Sequence, residues 1–422
     1  MSRSAAGRPT YRSLLRNREF RGLMLAQVTS ELGDQLARVA IATLVLARTD
    51  SAFLAVLAFV VSFVPAVFGA GLLGALADRF PRKAVLLVCD LARAGVLAVL
   101  ALVAVDGTPI AVLLGLLLLA ETFTAPFEAA HRSVVPDVLT DPRECMAGFG
   151  LMRVLHQVDQ VLGLLAAGLV ISLIGERGGL VVDVATFLTS FAVLALSLRW
   201  RPAQRSASAD PAERTSGLIA DFREGWRLVF DSPPLRALVV LAWSSAVFFI
   251  APEAVALAYA REDHAGAAAG AALMASLPAG AALGAWLVAR TEPVRQVSLV
   301  LPLAVASVTP LLLTSLAPPW AVLLPVWFLS GLAQGYMVPL MTTVNLVSPA
   351  DLRGRVNGLA GAGFSLVTAT TFLLAGAVAD LTSPAVAVTL GAVLGLALVG
   401  AVHREWPRAE LGQAARELYA GG

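Results

Sequence analysis

Long apolar runs dominate the chain, separated by short polar turns. They cover residues 21–46, 52–76, 84–105, 109–130, 147–174, 179–199, 236–260, 266–289, 297–317, 320–346, 356–379 and 384–403. A helix needs about 20 mostly apolar residues to cross a bilayer, and each run is long enough. None shows the two-residue alternation of a barrel strand. In hydrocarbon the backbone must satisfy its own polar groups, so helix is the element predicted. The expected fold class is an all-α polytopic membrane protein with twelve transmembrane helices. Composition agrees: 58% of residues are hydrophobic and 14% charged, with mean hydropathy +0.79. Soluble domains hold about 45–50% apolar and about 25% charged residues.

Charge placement adds orientation. The net charge of +2 says little, but the basic residues are unevenly spread. Nearly all are Arg; Lys83 is the single Lys. They crowd the N-terminal tail, the 77–83 turn, the 131–146 loop, residues 199–236, two later turns and the C-terminal tail. Only Arg48, Arg177 and Arg261 fall in the alternate turns. Basic loops stay cytoplasmic, so both termini are expected there, in a cell or inner membrane. The basic start resembles the head of a signal peptide. Its apolar run, however, is long and carries Glu31 and Asp34, so it reads as a first permanent span. Cys89 and Cys145 are too few for a disulfide framework or a metal site and read as free thiols.

Residues 201–234 form the one long polar connector. Its Ser/Pro/Ala-rich start reads as a flexible linker. Leu218, Phe222, Trp226 and Val229 have helical spacing, as in an amphipathic helix on the membrane surface. The predicted organisation is a cytoplasmic tail (1–20), a six-helix bundle (21–200), the linker (201–234), a second bundle (235–403) and a tail (404–422). Two short matches relate the halves. Gly74–Arg79 recurs weakly as Gly284–Arg290, and Pro142–Gly148 as Pro349–Gly358, at offsets of 210 and 207 residues. Together they predict pseudo-symmetric bundles.

The turn Gly74-Ala75-Leu76-Ala77-Asp78-Arg79-Phe80-Pro81-Arg82-Lys83 packs three cations and a carboxylate between two spans. It resembles the signature G-x-L-a-D-r-x-G-r-R/K between spans two and three of the major facilitator superfamily, with Pro81 in place of the usual Gly. Asn17-Arg18-Glu19-Phe20, Gly33-Asp34, Val135-Pro136-Asp137 and Leu352-Arg353-Gly354-Arg355-Val356 look like the macrolide-efflux and enterobactin-exporter branch. The resemblance implies alternating access between two bundles. It also implies that Gly74, Asp78, Arg79, Arg82 and Lys83 form a conformational motif, with Asp78 and Arg82 latching the bundles at their inner face. Simple topology anchoring by the three cations is the other reading. Two marks of proton-coupled drug antiporters are missing: Glu121 stands where span four often has Arg, and Gly163–Gly168 lacks the usual Pro.

Charges inside spans default to function, because each costs about 2.5–3.5 kcal/mol at the bilayer centre. Glu31, Asp34 and Arg38 share one face of span one. Asp34 either neutralises Arg38 or binds a proton. Glu121 is central in span four with no partner on its own helix, whereas Glu128 is expected to meet His131 or Arg132. Arg153 and Asp159 suggest an internal pair beside His156, and Asp90 and Arg93 another. Asp183 reads as a cap or a snorkelling residue near the outer start of span six. Glu253 follows Pro252, whose missing amide is expected to open span seven. The candidate proton and substrate residues are thus Asp34, Glu121, Glu253, Glu31 and Arg38. Phe123, Phe127, Trp243, Phe248, Phe249, Gln334, Tyr336 and Met337 are weaker candidates for a cavity lining.

There is no phosphate-binding loop, metal cluster or nucleophile motif, so neither an enzyme nor an ATP-driven pump is expected, and no cofactor or metal. The reading reached is a secondary transporter exporting a hydrophobic or amphipathic molecule, drug- or siderophore-like, by proton antiport. Its expected partners are a small lipophilic substrate, protons and lipid, with no nucleic acid, and it is expected to be a monomer. Two alternatives stand: an uptake carrier or facilitator, and a membrane sensor without transport.

Overall fold

The computed structural model describes residues 14–63, 80–201, 223–349, 352–404 and 406, and every regular element among them is helical. In chain order these are α1 (Arg18–Thr49), α2 (Ala52–Phe63), α3 (Arg82–Val103), α4 (Ile110–Thr122), α5 (Thr124–Val138) and α6 (Pro142–Ser197). Next come α7 (223–231), α8 (Pro233–Glu262), α9 (Ala267–Ala289), α10 (Pro293–Val308), α11 (Trp320–Ala333), α12 (Met337–Val347), α13 (Arg353–Leu381) and α14 (Pro384–Arg404). Among the described residues, nine helices are long and apolar enough to cross a membrane. One of them, α6, holds two predicted spans joined at Gly175, whose φ of 75° suits glycine. The first predicted span is α1 and the second begins as α2. Gly74, Asp78 and Arg79 lie outside the described residues.

Proline sets half of these helix starts. Pro81, Pro109 and Pro319 immediately precede helices, and Pro142, Pro233, Pro293 and Pro384 are first residues. A first-turn amide has no intrahelical partner, so proline loses nothing there. The two halves repeat one break. Phe123 separates α4 from α5, and the short 3₁₀ turn Gln334–Tyr336 separates α11 from α12. The prolines opening these two broken spans, Pro109 and Pro319, stand 210 positions apart. In contrast, α8 runs through Pro252 as one helix, so the expected opening beside Glu253 is absent. The polar loop expected over 131–146 also shrinks to three residues. Helix α5 continues to Val138 because His131, Val134 and Val135 are buried against their neighbours.

The chain divides into two compact units, residues 1–41 with 61–208 and residues 42–60 with 209–422. In the first, Phe20, Leu23, Leu86, Phe127, Val135 and Leu194 join the ends of α1, α3, α5 and α6 in one core. Around it, basic and amide side chains satisfy helix ends. Asn17 Oδ1 accepts from the amides of Glu19 at 3.0 Å and Phe20 at 3.3 Å. Lys83 Nζ donates to the carbonyls of Ala195 at 2.7 Å and Leu198 at 2.6 Å. A cation suits the negative end of a helix. Arg82 pairs with Asp137 and donates to Ser133 O at 2.8 Å.

Glu19 clasps the far end of α6. It accepts from Arg199 N at 2.6 Å and pairs with Arg201 at 2.6 Å. Burial raises the Glu19 carboxyl, but Arg201 and the Arg199 amide together hold it below its ordinary 4.5. A depressed carboxylate stabilises the fold above its unfolded value, and the gain is lost as pH falls through the folded value. Glu19→Gln should therefore lower the melting temperature at neutral pH, with the difference from wild type closing in acid. A difference that persists unchanged in strong acid would contradict the ion-pair origin.

In the second unit, α9 and α11 approach at backbone contact. A Cβ at Gly280 would lie 2.1 Å from Phe328 O, and one at Gly284 1.9 Å from Leu332 O. From the other side, a Cβ at Gly331 would lie 2.1 Å from Leu277 O. Small residues four apart allow such packing in membranes. Gly284→Val is expected to destabilise this unit by at least the about 1–3 kcal/mol of an overpacked core. Its melting temperature in detergent measures this; a wild-type value would refute the close contact.

Residues 42–60 are tied to α8 and α13. Arg261 donates to Leu46 O and pairs with Asp50 at 2.6 Å. Asp380 accepts from Ser51 Oγ and Ala52 N, each at 2.5 Å, capping the start of α2. The α7 segment packs against α13 rather than lying free: Val229 is buried and Glu224 pairs with Arg355 at 2.7 Å. Trp226 stacks on Phe230 at 4.2 Å. Residues 218–222 of that predicted helix lie outside the described residues. Several cavity candidates are packing residues: Phe127 and Phe248 are core, Tyr336 is fully buried, and Trp243 donates to Ala360 O at 2.9 Å.

Candidate functional site

The first unit encloses a network of charged side chains. Helix α1 supplies Glu31, Asp34 and Arg38, α3 supplies Asp90 and Arg93, and α4 supplies Glu121. Helix α6 supplies His156, Asp159 and Asp183. Six carboxyls thus face two guanidinium groups and one imidazole.

Contacts run between helices rather than along them. Arg93 is 2% exposed, pairs with Asp34, and donates to Ser30 Oγ at 3.1 Å. The Phe187 ring covers its guanidinium at 4.1 Å. Arg38 Nε lies 3.3 Å from Glu121 Oε1, close enough for charge pairing but not aligned as a hydrogen bond. Glu121 also accepts from Ser62 Oγ at 2.6 Å and Thr124 Oγ1 at 3.1 Å. Glu31 meets His156 Nδ1 at 3.0 Å and accepts from Gln27 Nε2 at 2.9 Å.

Of the two readings of Asp34, pairing with Arg38 gives way to two cross-helix pairs, Asp34 with Arg93 and Arg38 with Glu121, so Arg93 meets Asp34 rather than the expected Asp90. Asp90 instead accepts from Ser190 Oγ at 2.6 Å. The expected Arg153–Asp159 pair is also absent. Arg153 is exposed, while Asp159 is buried beside Glu31 with Oδ2 unpartnered. Glu128 does pair with Arg132, as expected. Asp183 is corrected most sharply. It neither caps nor snorkels but is fully buried on α6, with Oδ2 unpartnered. Gly33 makes room for it, since a Cβ there would lie 2.2 Å from Asp183 Oδ1.

Four candidates from the sequence, Glu31, Asp34, Arg38 and Glu121, come together here. Glu253 lies on α8 in the second unit. Arg93, Asp90 and Asp183 were missed as members. The available signal was Arg93 itself, an arginine in mid-span whose burial demands an anion.

A family model described as Major Facilitator Superfamily matches residues 23–344. The chain belongs to the Major Facilitator Superfamily. It is thus a multi-pass membrane protein of a transporter family, not an enzyme. "Multidrug efflux pump Tap" of Mycobacterium bovis (strain BCG / Pasteur 1173P2) is 28% identical over 355 residues, 80% of this chain and 81% of that protein. The "Uncharacterized MFS-type transporter YkuC" of Bacillus subtilis (strain 168) is 29% identical over 230 residues. That match spans 54% of this chain and about half, 53%, of YkuC. Among solved structures, the nucleoside transporter NupG matches with TM-score 0.71 at 13% identity, over 92% of this chain and 99% of that one. A peptide transporter POT matches with TM-score 0.67 at 16% identity, over 94% and 95%. At such identities the likeness is one of fold.

Proposed function

We propose that this transporter exports a hydrophobic or amphipathic drug-like molecule by proton antiport. One observation carries the coupling: six carboxyls buried or half-buried in one unit have two guanidinium groups and the His156 imidazole to balance them. Unpaired buried charge is expensive, so part of this acid set must hold protons or a cationic ligand. Asp34 and Glu121 each have an arginine partner and a neighbour that loses its counter-charge on protonation. Protonating either carboxyl removes half of an ion pair and shifts the balance between conformations. The Tap relatives support the outward direction and the drug-like substrate class.

In this reading the arginine-rich turns face the cytoplasm with both termini, the protein sits as a monomer in the cell membrane, and the two bundles rock about a central cavity. Arg82 and Lys83 steady the inner ends of α5 and α6 within the conformational motif. The test is proton flux evoked by ethidium in vesicles bearing an imposed proton gradient. Ethidium movement that ignores the gradient would instead indicate a facilitator.

A further inference from the structure

We propose that Glu31 and Asp159, with His156 on their exposed side, bind the positive charge of an organic cation in exchange for a proton. The inference rests on the export reading for a drug-like substrate, and it names the class: a lipophilic cation carrying N–H groups.

The register of two helices brings the acids together. Helix α1 and the first half of α6 run side by side and parallel. A Cβ at Gly148 would lie 3.2 Å from the Phe20 ring, and one at Gly163 2.9 Å from Gln35 Cγ. Phe20 and Gly148 stand 128 positions apart, and so do Gln35 and Gly163. Glu31 and Asp159 have the same separation, and their carboxyls meet in hydrogen-bond contact. His156, one turn before Asp159 on the same face, lies 3.0 Å from Glu31. Gln27, one turn before Glu31, donates to it at 2.9 Å.

Three features set this pair apart. Asp34 has Arg93 and Glu121 has Arg38, whereas neither Glu31 nor Asp159 pairs with an arginine among the described residues. The pair is also accessible. Asp90 and Asp183 are 0% exposed, but the Glu31 side chain is 27% and that of His156 58% exposed. Finally, two acceptors beside Glu31 lack donors. Gln27 Oε1 is buried without one, and so is Oδ2 of Asp159, a residue only 4% exposed. Buried acceptors without donors are costly, and the N–H groups of a cation would satisfy them.

The other titratable groups facing the pair are Asp34 from α1 and Glu128 and His131 from α5. Two carboxyls in contact share a proton, because like charges so close disfavour full ionisation. As the cation enters, that O–H bond breaks and the proton leaves for water by way of the His156 imidazole. One positive charge replaces another, so the net charge of the site is unchanged.

Ethidium, a lipophilic cation with N–H groups, and chloramphenicol, a neutral amphiphile, are the probes. Their binding to the purified full-length protein is followed with a pH indicator in weakly buffered detergent. Wild type should release about one proton per ethidium bound, because one shared proton gives way to one charge. Chloramphenicol should release none. Asp159→Asn and Glu31→Gln should each weaken ethidium binding about tenfold or more, the loss expected for one charged contact, and abolish the release. Asp34→Asn should keep the release, since its proton is a different one. Ethidium binding without proton release in wild type, chloramphenicol binding in place of ethidium, loss of the release in Asp34→Asn, or wild-type ethidium affinity in either folded variant would overturn the site. The wild-type and Asp34→Asn arms decide the matter even where the other two variants do not fold. Flux separates the two proposals. Ethidium movement that ignores a proton gradient ends the antiport reading, whereas gradient-driven export with unchanged ethidium affinity in Glu31→Gln ends only this site.

Discussion

Arg93→Met should be the most damaging single substitution to stability. The guanidinium is 2% exposed and is the direct partner of Asp34. Removing it leaves Asp34 and Asp90 without their nearest counter-charge. Breaking a buried ion pair from one side costs about 3–5 kcal/mol, because the surviving charge has lost its partner. The variant should melt far below wild type in detergent or fail to accumulate. Neutralising the survivor tests the cause: Arg93→Met with Asp34→Asn should recover part of the loss, since removing both charges is close to neutral. A double variant no better than the single would mean that Arg93 acts by packing on Phe187 alone.

Asp34→Asn should have the largest effect on transport. The amide keeps the shape of the side chain and removes the anion and the site for a proton. Gradient-driven export should fall to background while the protein still inserts and folds. Ethidium binding at equilibrium should persist. Thermal stability should drop less than in Arg93→Met, because Arg93 retains Glu121, Asp90 and Ser30 around it. Loss of binding in parallel with transport would make Asp34 a substrate residue rather than a coupling residue.

The helices were largely legible in the sequence because bilayer physics leaves one choice for an apolar run and because proline marks the starts. Pro142 and Pro384, for example, open helices close to where the apolar pattern begins. The end of α5 was not legible. Its last turns carry Arg132, Ser133 and Asp137 on one side and buried Val134 and Val135 on the other, which reads as a loop until the packing is known. Glu31, Asp34, Arg38 and Glu121 were legible as a site because charge in a span is costly wherever it points. Their partners were not. Spacings of three and four along one helix nominate neighbours on that helix, whereas Asp34 and Glu121 find their cations on α3 and α1. Asp183 was misplaced for a related reason. Its position near the start of a run suggested a cap, but its environment is set by Gly33 on another helix.

The central claim is that the acid network couples protons to export. Purified protein in proteoliposomes with an imposed proton gradient, monitored for ethidium and proton movement in the same vesicles, tests it most directly. The account predicts opposed fluxes in wild type that stop together in Asp34→Asn. Full ethidium export by Asp34→Asn across the pH range would contradict it.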